Sequence, residues 1–206
     1  MEVKQQILLE ATDLFMRYGL KSVSMDDIAR KLGISKKTLY QYVENKSELI
    51  EQIFSLKFEE DTQEMQAIRD NAKDAIEEVL KIASHVIQYL RTISPTTVYD
   101  LQKYYVNTWR QFETQHKRYF FTLMRENLAR GIKQGLYRTD MDTEIIAKLC
   151  VGKTSLLVDE DVFPMQQFNP TDLYREHMIY HIYGIASPKG RAILERHLQD
   201  ELGTIH

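Results

Sequence analysis

No proline occurs before Pro95, and the glycines ahead of it are Gly19 and Gly33 alone. A stretch that long with no proline and only two glycines, and with apolar residues three and four apart, has little choice but helix. Val3, Ile7, Leu8, Ala11, Leu14, Phe15 and Tyr18 form one stripe, which Gly19 closes as a C-terminal cap. No convincing run of strict two-residue alternation bounded by hairpin turns is found in the 206 residues. The expected fold class is all-α.

End signals divide the front of the chain into short helices. Ser24 is an N-cap for the segment opening Met25-Asp26-Asp27-Ile28, with Asp27 at the third position of a capping box and Val23 and Ile28 as a hydrophobic staple. Gly33 ends that helix, because it reaches positive φ without a Cβ clash. Ser35 caps a second short helix, 36–43. Asn45, with Glu48, caps a third that continues through Leu49, Ile50, Ile53, Phe54 and Leu56. Longer helices are expected at 46–70, 73–92, 96–107, 109–132, 142–159 and 171–186, with a short final one at 191–201. Pro164 and Pro170 bracket a loop, and Ser187-Pro188 opens the last helix with proline at its tolerated first position. The natural boundary, near residue 46, falls in front of a helix and not in a flexible linker. Domains 1–46 and 47–206 are therefore expected to be mechanically connected.

Charge is unevenly placed. The chain carries 27 Lys and Arg against 30 Asp and Glu, yet residues 1–50 hold eight basic against seven acidic side chains. Within 28–43, Arg30, Lys31, Lys36 and Lys37 occur with no carboxylate at all. Attraction to a polyanion is therefore expected to be local to the front. One cysteine, Cys150, excludes an intrachain disulfide, suits a reducing cytosol and sits in an apolar run as a buried thiol. No secretory pattern and no segment of membrane-spanning length is present, so a cytoplasmic protein with no membrane partner is expected.

At about 100° per residue, Leu39 and Val43 point together toward Ile28, Ala29 and Leu32 of the preceding helix. Lys37 and Gln41 point outward, flanked by Thr38 and Tyr40, with Tyr42 to the side and Lys36 at the helix start. Two short helices joined by a tight glycine turn, the second with a donor-rich outer face, make a helix-turn-helix. Such a helix fits the major groove of B-DNA, while lysines, tyrosine hydroxyls and helix N-termini suit phosphate oxygens. Lys46, in the first turn of the next helix, adds its ammonium to the helix dipole toward a phosphate. A cationic helix face is more often plain solvated surface; here the order of the features favours DNA.

Residues 3–50 resemble the DNA-binding domain of TetR-family transcriptional regulators. The match runs through LFMRYG and SVSMDDIARKLGISKKTLYQYVENKSELI, with Val43 standing where the family usually has phenylalanine. The resemblance implies that Ser24, Tyr42 and Lys46 hold phosphates, and that Ser35, Lys36, Lys37, Thr38 and Tyr40 contact bases or backbone. Gln41 matches a more variable position. It further implies an N-terminal three-helix DNA-binding domain joined to a larger helical ligand-binding and dimerisation domain. The expected function is a homodimeric, ligand-responsive regulator, by family a repressor. Segment 131–149, GIKQGLYRTDMDTEIIAKL, is similar to the turn before the dimer interface in these regulators, and GIASPKG at 184–190 resembles a C-terminal turn in some of them.

In the rest of the chain, Phe112, His116, Phe120, Leu123, Met124, Leu128 and Ile132 share one helix face. Such aromatic stripes first make core. With the family resemblance, Tyr105, Trp109, Phe112, His116 and Phe120 become candidates for contacting a small organic ligand. Two apolar bands, Ile145, Ile146, Leu149, Cys150, Leu156, Leu157 and then Leu173, Ile179, Ile182, Ile185, would build a four-helix bundle across a two-fold axis. Two rigidly joined reading heads can then recognise a palindrome.

VGKTSL at 151–156 is not a phosphate-binding loop, because position 147 is alanine and no strand precedes it. His177 and His181 have metal-ligand spacing on one face but no HExxH context, so packing is expected and no cofactor or metal is implied. No nucleophile–base signature stands out. Two rival readings are an α-helical enzyme that uses the aromatic cavity, and a DNA-binding regulator controlled by a protein partner.

Overall fold

The computed structural model describes residues 3–92, 94–159, 161–164 and 166–203. Its elements are helices α1 (Val3–Tyr18), α2 (Met25–Leu32), α3 (Lys36–Leu39), α4 (Lys46–Asn71), α5 (Ala75–Thr92), α6 (Pro95–Tyr104), α7 (Val106–Lys133) and α8 (Thr143–Thr154), a 3-10 turn (Leu156–Val158), α9 (Pro170–Ile185) and α10 (Pro188–Gly203). Among the described residues there is no β-strand, and an antiparallel bridge joins Tyr137 to Ala186. No described helix is long and apolar enough to cross a membrane.

The residues gather into two compact units, Met1–Thr62 with Thr92–His116, and Gln63–Arg91 with Lys117–His206. Along the chain, α4 and α7 each supply residues to both. The first unit is built on the α1 stripe, where Ile7, Leu8, Ala11 and Phe15 are buried. They pack with Met25, Ile28 and Ala29 of α2, Leu39, Val43, Leu49, Ile50, Ile53 and Phe54, and Leu101 of α6. Val43 is buried with them, so the smaller side chain still serves the core. The place of α6 is fixed by hydrogen bonds: Thr97 Oγ1 donates to Phe15 O at 3.1 Å, and the Lys21 amide donates to Asp100 Oδ2 at 2.8 Å.

In the second unit, α5, α7, α8, α9 and α10 enclose Ile76, Val79, Leu128, Tyr137, Ala147, Cys150, Tyr174, Ile182, Ile185 and Leu194. The two segments singled out near its turns meet: Arg138 N donates to Ile185 O at 2.9 Å and Ser187 N to Leu136 O at 2.8 Å. Gly131 is required there by close approach, since a Cβ would fall 2.1 Å from the Tyr137 ring. The Tyr137 hydroxyl donates into a buried polar cluster at 3.1 Å from Ala75 O and 2.9 Å from Asn127 Oδ1.

Three differences from the expected elements matter. The α-helical part of α3 stops at Leu39, where 43 was expected, because three-residue bonds (Gln41 N to Thr38 O at 3.1 Å, Tyr42 N to Leu39 O at 3.0 Å) tighten its end into a turn. The helix expected at 142–159 breaks after Thr154 into the 3-10 turn. Of the two apolar bands, Cys150, Ile182 and Ile185 face their own core. Ile145, Leu149 and Leu156 are 55, 51 and 49% exposed, and Tyr180 on α9 is 70% exposed.

Candidate nucleic-acid interface

The reading surface is assembled by caps. The Ser24 hydroxyl accepts from the Asp27 amide at 3.2 Å, while the Ser24 amide and hydroxyl both donate to Asp27 Oδ2, at 2.9 and 2.6 Å. These bonds, and after them Arg30 and Lys46, hold the Asp27 carboxyl below its usual pKa. Gly33 caps α2 at φ 66°, its amide bonding back to Ala29 O and Arg30 O. Ser35 Oγ then accepts from the Thr38 amide at 3.0 Å and shares a second hydrogen bond with Thr38 Oγ1 at 2.8 Å. The α2–α3 corner is thus pinned at both ends, and Leu39 and Val43 anchor its inner side with no appreciable exposure.

Most of the residues expected on the outer face are exposed. Ser24, Ser35, Lys36, Lys37, Tyr40, Gln41 and Tyr42 are exposed, and Thr38 is half-buried beside Ser35. Two electrostatic details modify the expected surface. Lys36 Nζ lies 2.9 Å from Asp26 Oδ1, and this bond raises the lysine pKa. The helix that carries Lys36 is free of carboxylates, but its neighbour α2 supplies one. Lys46, expected to project toward a phosphate, is half-buried; its Nζ is 3.5 Å from Lys21 O and 5.8 Å from the Phe15 ring centre. Burial lowers its pKa, opposed by Asp100 and Asp27. Its ammonium is aimed along the α1–α2 corner rather than straight outward.

Sequence reasoning missed Asp100 and the α6 residues around it, 79 positions from the lysine amide they hold. No local spacing rule connects them.

The aromatic candidates occupy different places. Tyr105, Trp109 and Phe112 pack against the core of the first unit, Phe112 edge-on to Phe54 at 5.3 Å. His116 lies against Phe112 at 3.9 Å and Phe58 at 4.8 Å, with Nδ1 2.8 Å from Phe112 O and Nε2 3.9 Å from buried Asp61. Phe120 belongs to the second unit, beside Met65, Ile82 and Leu123. His177 and His181 are buried, the former with Nε2 3.3 Å from Cys150 O, and burial pushes the Cys150 thiol up to about 12.

Residues 7–53 match the family model described as bacterial regulatory proteins, tetR family. YhgD of Bacillus subtilis (strain 168), named as an uncharacterized HTH-type transcriptional regulator, is 25% identical over 146 residues, 70% of this chain and 76% of that protein. A transcriptional regulator from Cytophaga hutchinsonii ATCC 33406 shares the fold with a TM-score of 0.76 at 19% identity, over 89% of this chain and 98% of that one. A putative transcriptional regulator from Saccharomonospora viridis in complex with choline has a TM-score of 0.65 at 17% identity, over 89% and 97% of the two chains. With a capped helix-turn-helix at its front and a larger helical part behind, this chain carries at its front the DNA-binding domain of the TetR family of transcriptional regulators.

Proposed function

We propose that the protein is a homodimeric repressor that binds a palindromic operator in the cytoplasm and is released by a small organic molecule. The observation that carries the reading is the α2–α3 corner, whose apolar side is fully buried while its lysines, tyrosines and hydroxyls are presented to solvent. Lys37, Thr38 and Tyr40, with Ser35, Lys36 and Gln41, take the base edges and adjoining backbone; Ser24, Tyr42 and Lys46 take phosphates. The division of labour follows the boundary near residue 46, with 1–46 reading DNA and 47–206 binding ligand and partner subunit.

Dimerisation is supported by the outward row Ile145, Leu149 and Leu156 with Tyr180, large apolar side chains that a second copy of the same surface would cover. A small-molecule ligand is supported by the choline bound to the Saccharomonospora viridis regulator, and its contacts are sought at Tyr105, Trp109, Phe112 and His116 in the first unit and, separately, at Phe120 in the second. Because α4 begins at Lys46 and continues into the larger part, a ligand with different affinity for two arrangements of that helix biases the reading heads.

Selection of bound duplexes from a random pool, repeated with candidate small molecules, tests the reading; enrichment of a palindrome that a compound releases is expected. On the selected site, Lys46→Ala should weaken all duplexes alike and reduce the salt slope by about one for each protomer. Lys37→Ala and Thr38→Ala should change the preference among sequences. Equal losses on specific and random DNA would remove them from the base-reading set.

A further inference from the structure

Outside the residues matched by the family model, α6 brings a second group of cations and phenols to the corner between α1 and α2. Buried Asp100 and Thr97 fasten that helix to Lys21 and Phe15, as described above. The fastening sets Lys21 Nζ to donate to Tyr104 Oη at 3.0 Å, 4.5 Å from the centre of that ring. On the same helix, Lys103 Nζ donates to Tyr99 Oη at 2.6 Å and lies 5.0 and 5.6 Å from the centres of the Tyr99 and Tyr104 rings. Lys46 Nζ, 3.5 Å from the Lys21 carbonyl, continues the series toward α4. Lys21, Lys103, Tyr99 and Tyr104 are all exposed.

Each phenol oxygen here accepts an ammonium hydrogen, which leaves its own O–H to donate outward. The bond from the Lys21 ammonium lowers the Tyr104 pKa and, in return, raises that of Lys21, with burial and Lys103 opposing. Asp100, the nearby carboxylate, is buried and bonded to backbone. Close-set cations and polarised donors of this kind match anionic oxygens spaced along a strand. The group is continuous, through Lys46, with the surface assigned to DNA.

We propose that Lys21, Tyr99, Lys103 and Tyr104 form a backbone-phosphate clamp that extends the footprint beyond the helix-turn-helix, gripping the DNA strand on the flank of the half-site. The clamp rests on the DNA-binding reading above. Phosphate contacts carry no base information and release counterions, so it contributes affinity and salt dependence without altering sequence preference.

The test is a salt titration of full-length protein on the selected operator, carried either in a long duplex or in one trimmed at the half-site edges. On the long duplex, Lys103→Ala is expected to reduce the slope of log K against log salt by about one per protomer, with equal weakening of specific and random sequence. Lys103→Arg keeps the slope, and on the trimmed duplex Lys103→Ala binds like wild type. An unchanged slope on the long duplex overturns the clamp and leaves the DNA-binding reading standing. Weaker binding at unchanged slope shows that α6 merely positions the module, and overturns it equally. Wild-type protein that binds no duplex overturns both.

Discussion

Lys36 is held by Asp26 at 2.9 Å, with both side chains about half exposed. A surface pair of this kind contributes little to stability, but it places a carboxylate beside the surface proposed to meet a polyanion. Asp26→Asn removes that charge and keeps the side-chain shape. Binding to every duplex is expected to tighten, with a salt slope steeper by up to about one per protomer as Lys36 is freed for phosphate. Filter binding across a salt series measures it, and an unchanged slope would mean that Lys36 does not reach the backbone. Helical spacing predicted that Lys36 is exposed, as it is, and missed its partner. Helical periodicity relates side chains within one helix, whereas Asp26 reaches Lys36 across the corner between two.

At the scale of elements, α8 carries apolar residues on two faces. Ala147 and Cys150 face the core, while Ile145 and Leu149, with Leu156 just beyond the helix end, face outward. A wide apolar band signals that a helix is buried; it does not say whether the second face is covered by the same chain or by another. That is why Ile182, expected at the subunit interface, proves to be fully buried in its own unit. The two positions therefore predict different failures. Leu149→Glu changes a side chain already in solvent, so sedimentation should find folded monomer where wild type gives dimer. Ile182→Glu puts an unpaired carboxylate into a packed core and should prevent folding. Folded dimer from Leu149→Glu would place the interface elsewhere. The starts of the short helices and the end of α2, by contrast, were legible to the residue, because Ser24, Asp27, Gly33, Ser35 and Asn45 each act on the few backbone groups beside them, whereas no such cap marked the end of α3.

For the molecule as a whole, the buried histidines tie stability to pH. Burial, then His177 and Lys153, lowers His181 from its ordinary 6.5 to about 4, and burial lowers His177 as well. His181 Nε2 has no hydrogen-bond partner among the described residues. Below 6.5 the unfolded chain binds these protons and the folded chain resists them, so acid favours unfolding. The stability present above 6.5 is expected to fall as pH drops toward about 4, with His181 accounting for up to about 3 kcal/mol. Urea unfolding at a series of pH values should show this decline, and His181→Phe should flatten it; a slope equal to wild type would refute the assignment. The all-helical class was legible from spacing and missing breakers, but the grouping of α6 with the front of the chain was not, since it depends on contacts far apart in sequence. Helix α3 amounts to a single helical turn. A turn that brief has almost no tendency to form alone. A synthetic peptide copying 35–43 would own every side chain assigned to base edges and none of their shape. Grafting the motif onto another scaffold would have to carry along α1, α2 and the start of α4.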